Sequence, residues 1–329
     1  MGGMTGPFLY TSPQSPASAT GVVADVYAQV SADFGVKDAP TFVALSASPS
    51  LLTSTWALMR ESLLAGRASR TGKELVAAGV SLANQCPFCV TAHAVLLHAT
   101  GDHRLAEGVL RGEEPEAPGD RALLAWGRDP RGPWPFPADE APEYVGTTLA
   151  FHFINRIVSS LLSERMLPGG AEKYRLVRRT AGRSLAGTVR REVRPGASLP
   201  LLRTHGEAPA WVDDGPVGTA YGALLTAARA GEELLSDEDA ASVRASVADW
   251  DGVTPLPLRA ELPSRAQRPG ARLALLAARA PYRVTAEDVA AWRTPASTDH
   301  CLVHLVAFGA ICAVERVEAI LRMTVGQPI

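Results

Sequence analysis

The stretch Glu74-Leu-Val-Ala-Ala-Gly-Val-Ser-Leu-Ala-Asn-Gln-Cys86-Pro-Phe-Cys89-Val-Thr-Ala-His93 places two thiols, an imidazole and a carboxylate within twenty residues of apolar, helix-forming sequence. Cys86, Cys89 and His93 stand at i, i+3 and i+7, so on a helix they fall within roughly 60° of one another and share a face. Asn84 or Gln85 is the expected N-cap, and Pro87 suits a first helical turn, where its missing N–H has no partner to lose. Both sulfurs then sit near a helix N-terminus. Unpaired N–H groups and the positive end of the helix dipole stabilise a thiolate there. His93, one turn beyond Cys89, supplies a proton acceptor, and the segment reads as a redox site.

Other readings of the same residues stand beside this one. Two cysteines in an Ala-rich helix also suit core packing, and Cys86, Cys89 and His93 are of the right type for three zinc ligands, although no second ligand pair follows nearby. Haem attachment requires His directly after the second Cys, where Val90 stands. Glu74 is ambiguous. Thr71-Gly-Lys-Glu74 fits a capping box, a role without chemistry. Yet Glu74 lies about 15 Å of helix before a turn at Asn84 and His93 about 12 Å after it, at ~1.5 Å per residue, so a relay from Glu74 through His93 to Cys89 is also feasible.

Taken with their surroundings, these residues resemble the AhpD-like alkylhydroperoxidases of the carboxymuconolactone decarboxylase superfamily, in the peroxidase-related branch with C-P-[FY]-C. The similarity extends upstream through Ser48-Pro-Ser-Leu-Leu52 and Trp56-Ala-Leu-Met-Arg-Glu-Ser-Leu-Leu64, and downstream through Phe151-His-Phe-Ile-Asn-Arg-Ile157, covering about residues 20 to 165. It implies an all-α helical bundle that reduces hydroperoxides, with Cys89 as the peroxidatic thiol, Cys86 as the resolving thiol, and His93 and Glu74 as the proton relay. It implies no metal, flavin or haem, and a thioredoxin-like or lipoyl-bearing protein as reductant. The resemblance departs at Phe88, where founding members carry a second His. Other branches use the fold for decarboxylation or lactone chemistry, so a small-acid decarboxylase or proton-transfer enzyme is one rival reading. A redox sensor that switches a surface without turnover is another.

The whole chain has 329 residues, 47% of them hydrophobic, which suffices for two modest cores. A net charge of −2 gives no chain-wide field for nucleic acid or membrane. Only four cysteines occur, and no opening segment reads as a secretory signal, so a cytoplasmic protein is expected. The apolar runs read as too short or too interrupted to cross a bilayer. Residues 1–21 read as a loose arm, 22–165 as the catalytic repeat, 166–200 as a basic linker, and 201–329 as a degenerate second repeat without the dithiol. That duplication is inferred from two echoes: Arg121-Ala-Leu-Leu-Ala125 against Arg272-Leu-Ala-Leu-Leu276, and Asn155-Arg156-Ile157 against Glu315-Arg316-Val317. A homo-oligomer is expected as well.

Residues 112–142, dense in Gly and Pro with Trp126, Trp134 and Phe136, read as a packed loop and short helix over the site. Cys301 and His304 share a helix face without a partner thiol and read as structural. His98 points about 120° away from Cys86 and falls outside the relay. The basic run Lys173-Tyr-Arg-Leu-Val-Arg-Arg-Thr-Ala-Gly-Arg183 reads as a solvated linker helix, with docking of an acidic donor protein or RNA as the alternatives.

Overall fold

The computed structural model describes residues 7–164, 168–212 and 215–324. Its helices are α1 (Gly21–Asp33), α2 (Pro40–Ala44), α3 (Pro49–Met59), α4 (Arg70–Ala83), α5 (Pro87–Thr100), α6 (His103–Arg111), α7 (Pro118–Arg128), α8 (Ala141–Leu161), α9 (Arg175–Val189), α10 (Pro216–Arg229), α11 (Asp237–Ala248), α12 (Pro269–Arg279), α13 (Ala286–Trp292) and α14 (Asp299–Thr324). Among the described residues the only extended pairing is an isolated bridge between Phe8 and Leu162. The fold is all-α, as the sequence predicts. Proline opens many of these helices, including α3, α5, α7, α10 and α12, at positions where the lost N–H costs nothing.

The largest apolar cluster runs from Val23 to Leu321 and takes in both halves of the chain, with two small clusters beside it, one around Leu75, Leu97 and Val109 and one around Leu96, Ala99 and Val189. α3 packs on α10, and α8 packs on α14. Phe42 meets the fully buried Trp56 edge-on at 5.2 Å between ring centroids. Arg156 of α8 crosses between the halves: its Nε donates to the Ala278 carbonyl at 2.8 Å, and its guanidinium lies 5.4 Å from the centre of the Trp250 ring. α14 is long and apolar enough to span a bilayer by composition, contrary to the reading of the sequence. Yet 78% of its apolar window is buried inside the protein, which identifies a core helix.

Two further expectations are corrected. Residues 1–6 of the N-terminal arm lie outside the described residues, but the part from Pro7 onward is held in place. Leu9 N–H donates to the Leu161 carbonyl, Ser12 N–H to Asp299, and Gln14 N–H to Ser46 Oγ. The boundary at 165–166 also lies outside the described residues, but beyond it the basic segment is a packed element: α9 lies against α5. The chain after α9 is pinned by Glu61, in a π-helical turn at Arg60–Leu64. Its carboxylate accepts from Gly196 N–H at 2.6 Å and from the Ser198 hydroxyl at 2.5 Å.

The segment 112–142 covers α4 rather than the dithiol. Its α7 packs against α4 at glycines: a Cβ on Gly79 would come within 2.4 Å of the Leu124 carbonyl, and one on Gly127 within 2.3 Å of the Val76 carbonyl. Beside this crossing Phe136 stacks on Tyr144 and meets Trp126 edge-on. Ala in place of Gly mid-helix ordinarily gains about 1 kcal/mol. Here the added methyl meets unyielding backbone, so Gly79→Ala should instead lower stability by about 1–3 kcal/mol. Urea denaturation checks the sign of that change.

Candidate active site

The site is built on the hairpin of α4 and α5. Ser69 caps α4 by accepting from Gly72 N–H, so the capping box expected at Thr71–Glu74 does not form, and Glu74 is left free to turn inward. At the other end α4 closes through Asn84 N–H to Val80 and Cys86 N–H to Ser81. Gln85 turns the chain with φ of 53°, in the left-handed region, and Cys86 itself occupies the N-cap of α5 without a side-chain cap bond. The expected cap at Asn84 or Gln85 is thus displaced by one or two residues. Pro87 occupies the first turn, as anticipated.

Cys86 and Cys89 are joined as a disulfide with their Cα atoms 5.3 Å apart, at 1% and 4% exposure. Two openings reach them from different sides. Cys89 and His93 line an apolar cavity of about 320 Å³, walled by Phe42, Met59, Phe88, Phe151 and residues of α9. Cys86 lines two further pockets of about 280 and 430 Å³, the larger of them the more open, both also touched by Gln85, Pro87, Glu164 and Tyr282. Phe88 borders the cavity on one side and one of these pockets on the other.

Glu74 and His93, far apart in sequence, meet in the interior. His93 Nδ1 lies 2.7 Å from Glu74 Oε2, and Arg70 Nε donates to Glu74 Oε1 at 2.8 Å. Burial alone would raise the Glu74 pKa, but the Arg70 charge and the His93 hydrogen bond outweigh it and hold the carboxyl below its ordinary value. An ionised carboxylate only accepts, so His93 donates from Nδ1 and, as a neutral ring, carries its lone pair on Nε2. That Nε2 is buried and has no hydrogen-bond partner. The ring edge is fixed against Phe151, with centroids 4.5 Å apart. The four sequence candidates Glu74, Cys86, Cys89 and His93 are therefore brought together.

The other tempting residues lie elsewhere. His304 Nε2 bonds Ser48 Oγ at 2.8 Å, and Cys301 Sγ contacts the Thr298 hydroxyl. His98 bridges His103 and Glu107. Among the described residues no three of His, Cys, Asp and Glu are grouped as metal ligands would be. Sequence reasoning missed Arg70, although its place four residues before Glu74 on a helix is a legible ion-pair spacing. It also missed the roof. Val177, Ala181 and Leu185 of α9 line the Cys89 cavity, as does Arg178, whose Nη2 pairs with Glu107 at 2.5 Å. Their four-residue spacing marks an apolar stripe that the dense arginines obscured. Tyr282 and Val284, from the second half, complete the Cys86 side.

Comparison with known proteins places the sequence of this hairpin in a family. The model of the carboxymuconolactone decarboxylase family matches residues 50–104, which hold the dithiol hairpin. The chain is 40% identical over 324 residues to the alkyl hydroperoxide reductase Rv2159c of Mycobacterium tuberculosis, covering 94% of this chain and 93% of that protein. No solved structure matches.

The Glu74 environment has a measurable signature. Its charge stabilises the fold above its ordinary pKa of 4.5, and that contribution is lost as pH falls through the lower folded value. Glu74→Gln should cost about 3 kcal/mol at neutral pH, because Arg70 loses its buried partner. As pH falls below 4.5 and on through the lowered folded value the gap to the wild type should narrow, because the wild-type carboxyl progressively takes up a proton as well. Denaturant titrations at several pH values measure this, and a gap constant across the range would show that charge is not what Glu74 contributes.

Proposed function

The chain belongs to the carboxymuconolactone decarboxylase family, as an AhpD-like member, and from that premise we propose that it is a dithiol peroxidase that reduces hydroperoxides through Cys89 and Cys86. The observation that carries the reading is the disulfide itself, set between an apolar cavity at Cys89 and a surface depression at Cys86. The relative's printed name, alkyl hydroperoxide reductase, supports the same chemistry.

In the reduced enzyme His93 Nε2 takes the Cys89 proton, and the resulting thiolate attacks the terminal oxygen of the hydroperoxide. The S–O bond forms as the O–O bond breaks. The alkoxide leaving group recovers the proton from His93 and departs as an alcohol, leaving a sulfenic acid on Cys89. The Cys86 sulfur then displaces that hydroxyl as water, its own thiol proton going to the leaving group, and the disulfide closes. A dithiol donor returns two electrons and two protons by thiol–disulfide exchange. Glu74 holds the imidazole in the tautomer that keeps Nε2 basic, and Arg70 keeps Glu74 ionised. A thioredoxin-like or lipoyl-bearing donor fits the Cys86 side, which is open where the cavity is roofed.

The second half supports a reading as a degenerate repeat. Proline opens α3 and α10 alike, and Ser69 and Ser236 cap the helices that follow them. α7 and α12 both begin Pro-Gly. Between the capped helix and the Pro-Gly helix, the first half carries α5 and α6, and the second half carries no helix.

Cys89→Ser should abolish peroxide consumption with a dithiol donor, whereas Cys86→Ser should retain one attack and hold a sulfenic acid at Cys89. His93→Gln should slow attack at neutral pH by about a hundredfold or more. Stopped-flow peroxide assays and dimedone labelling read by mass spectrometry test all three. A sulfenic acid on Cys86 in the Cys89 variant, with none on Cys89 in the Cys86 variant, would reverse the assigned roles.

A further inference from the structure

α9 has two faces of opposite chemistry. Val177, Ala181 and Leu185 recur every four residues and wall the cavity that holds Cys89 and His93. Arg175, Arg179 and Arg183 recur with the same period two residues out of step, about 200° around the helix, and are exposed. The helix contains no acidic residue. Among the described residues none of these three arginines forms an ion pair, whereas Arg178 is bound by Glu107 and Arg191 by Asp33. At the start of the same helix Tyr174 and Leu176 are 58% and 76% exposed, beside the exposed Lys173. A surface that offers cations together with unburied apolar side chains suits the interface of an anionic lipid layer.

The cavity beneath points the same way. Its wall is apolar at Phe34, Val36, Phe42, Met59, Phe151 and Ile154, and its volume of about 320 Å³ holds roughly ten groups of water size. The carboxylates that border it, Asp38 and Glu172, oppose an anionic head, and the guanidinium of Arg178 is engaged by Glu107. A neutral, chain-like hydroperoxide satisfies that lining. An acidic partner protein would account for the outer face of α9 alone, whereas a lipid layer accounts for both. The chain's net charge of −2 does not oppose this, because the field that matters falls off within about 8 Å of the arginine stripe.

We propose that α9 seats the enzyme on an anionic lipid surface and that the cavity it roofs takes hydroperoxides carried on acyl chains. The substrate half of this proposal rests on the peroxidase reading; the surface half does not. Each acyl hydroperoxide would leave as the acyl alcohol and water, with the two electrons drawn from the dithiol donor as above.

Sedimentation of the full-length protein with vesicles tests it. The protein should co-sediment with vesicles of phosphatidylcholine containing one third phosphatidylglycerol, should do so about tenfold less with phosphatidylcholine alone, and should be released by salt. The double variant Arg179→Glu with Arg183→Glu should partition about tenfold or more weaker, with an unchanged melting temperature because both side chains are exposed. Leu176→Ser should also partition less. With a dithiol supplied, phosphatidylcholine hydroperoxide should be consumed faster in the anionic vesicles than in the neutral ones. Equal sedimentation with both kinds of vesicle, undiminished binding by the double variant, or retention only by an acidic dithiol protein would overturn the surface. A wild-type enzyme that binds vesicles but does not consume soluble tert-butyl hydroperoxide would instead sink the peroxidase reading and leave the surface standing.

Discussion

The structure depends on a carboxylate placed where water cannot reach it. Glu74 is fully buried, and a buried charge costs several kcal/mol unless charge and hydrogen bonds meet it on every side. Arg70 meets it from one turn earlier on the same helix, and His93 from the next helix. Neither partner can move without stranding the other two, so the triad fixes the register of α4 against α5. The same requirement fixes the imidazole: with Nδ1 committed to Glu74, the unpartnered Nε2 has one orientation left, and Phe151 closes off rotation. The chemistry attributed to His93 follows from how the fold satisfies Glu74.

The turn between those helices sets the second constraint. Gln85 adopts a left-handed backbone, a conformation uncommon outside glycine, and this brings Cys86 into the N-cap position directly before Pro87. One sulfur therefore ends the turn and the other begins the helix, so a short disulfide spans two environments. On the Cys89 side the surroundings are apolar. On the Cys86 side they are more open and bordered by Glu164 and Tyr282, where a second thiol can approach. Phe88 stands between the two sides, and an imidazole there would place a polar group at the border of an otherwise apolar cavity.

The sequence made legible what local spacing controls. The positions of Cys89 and His93 on one helix with Cys86 at its start, the proline-opened helices, and the approach of Glu74 to His93 all follow from local geometry over short stretches. What was not legible depends on tertiary partners. Ser69 rather than Thr71 caps α4, a two-residue difference between equally suitable hydroxyl side chains. α9 reads as a solvated basic linker because four arginines are interleaved with its apolar residues, yet Val177, Ala181 and Leu185 are enough to roof a cavity. The arm at Pro7–Leu9 is held by backbone bonds to Leu161 and Ser163, which no side-chain pattern announces.

The second half of the chain contributes no thiol to the site, and its necessity is one of packing. α3 is buried around its whole circumference, from Leu51 to Met59. A helix buried on all sides needs neighbours on all sides. α10 supplies one of them for α3, and α14, itself buried from Leu302 to Val314, supplies one for α8. Stripped of α10 and α14, the dithiol half would present those helix faces to water. The same half delivers Tyr282 and Val284 to the Cys86 depression, so the element that covers the core also shapes the approach of the electron donor. Burial and access are therefore coupled: α8, which packs on α14, also carries Phe151 and Ile154 of the Cys89 cavity, so a change that loosens α14 from α8 should disturb both sides of the disulfide.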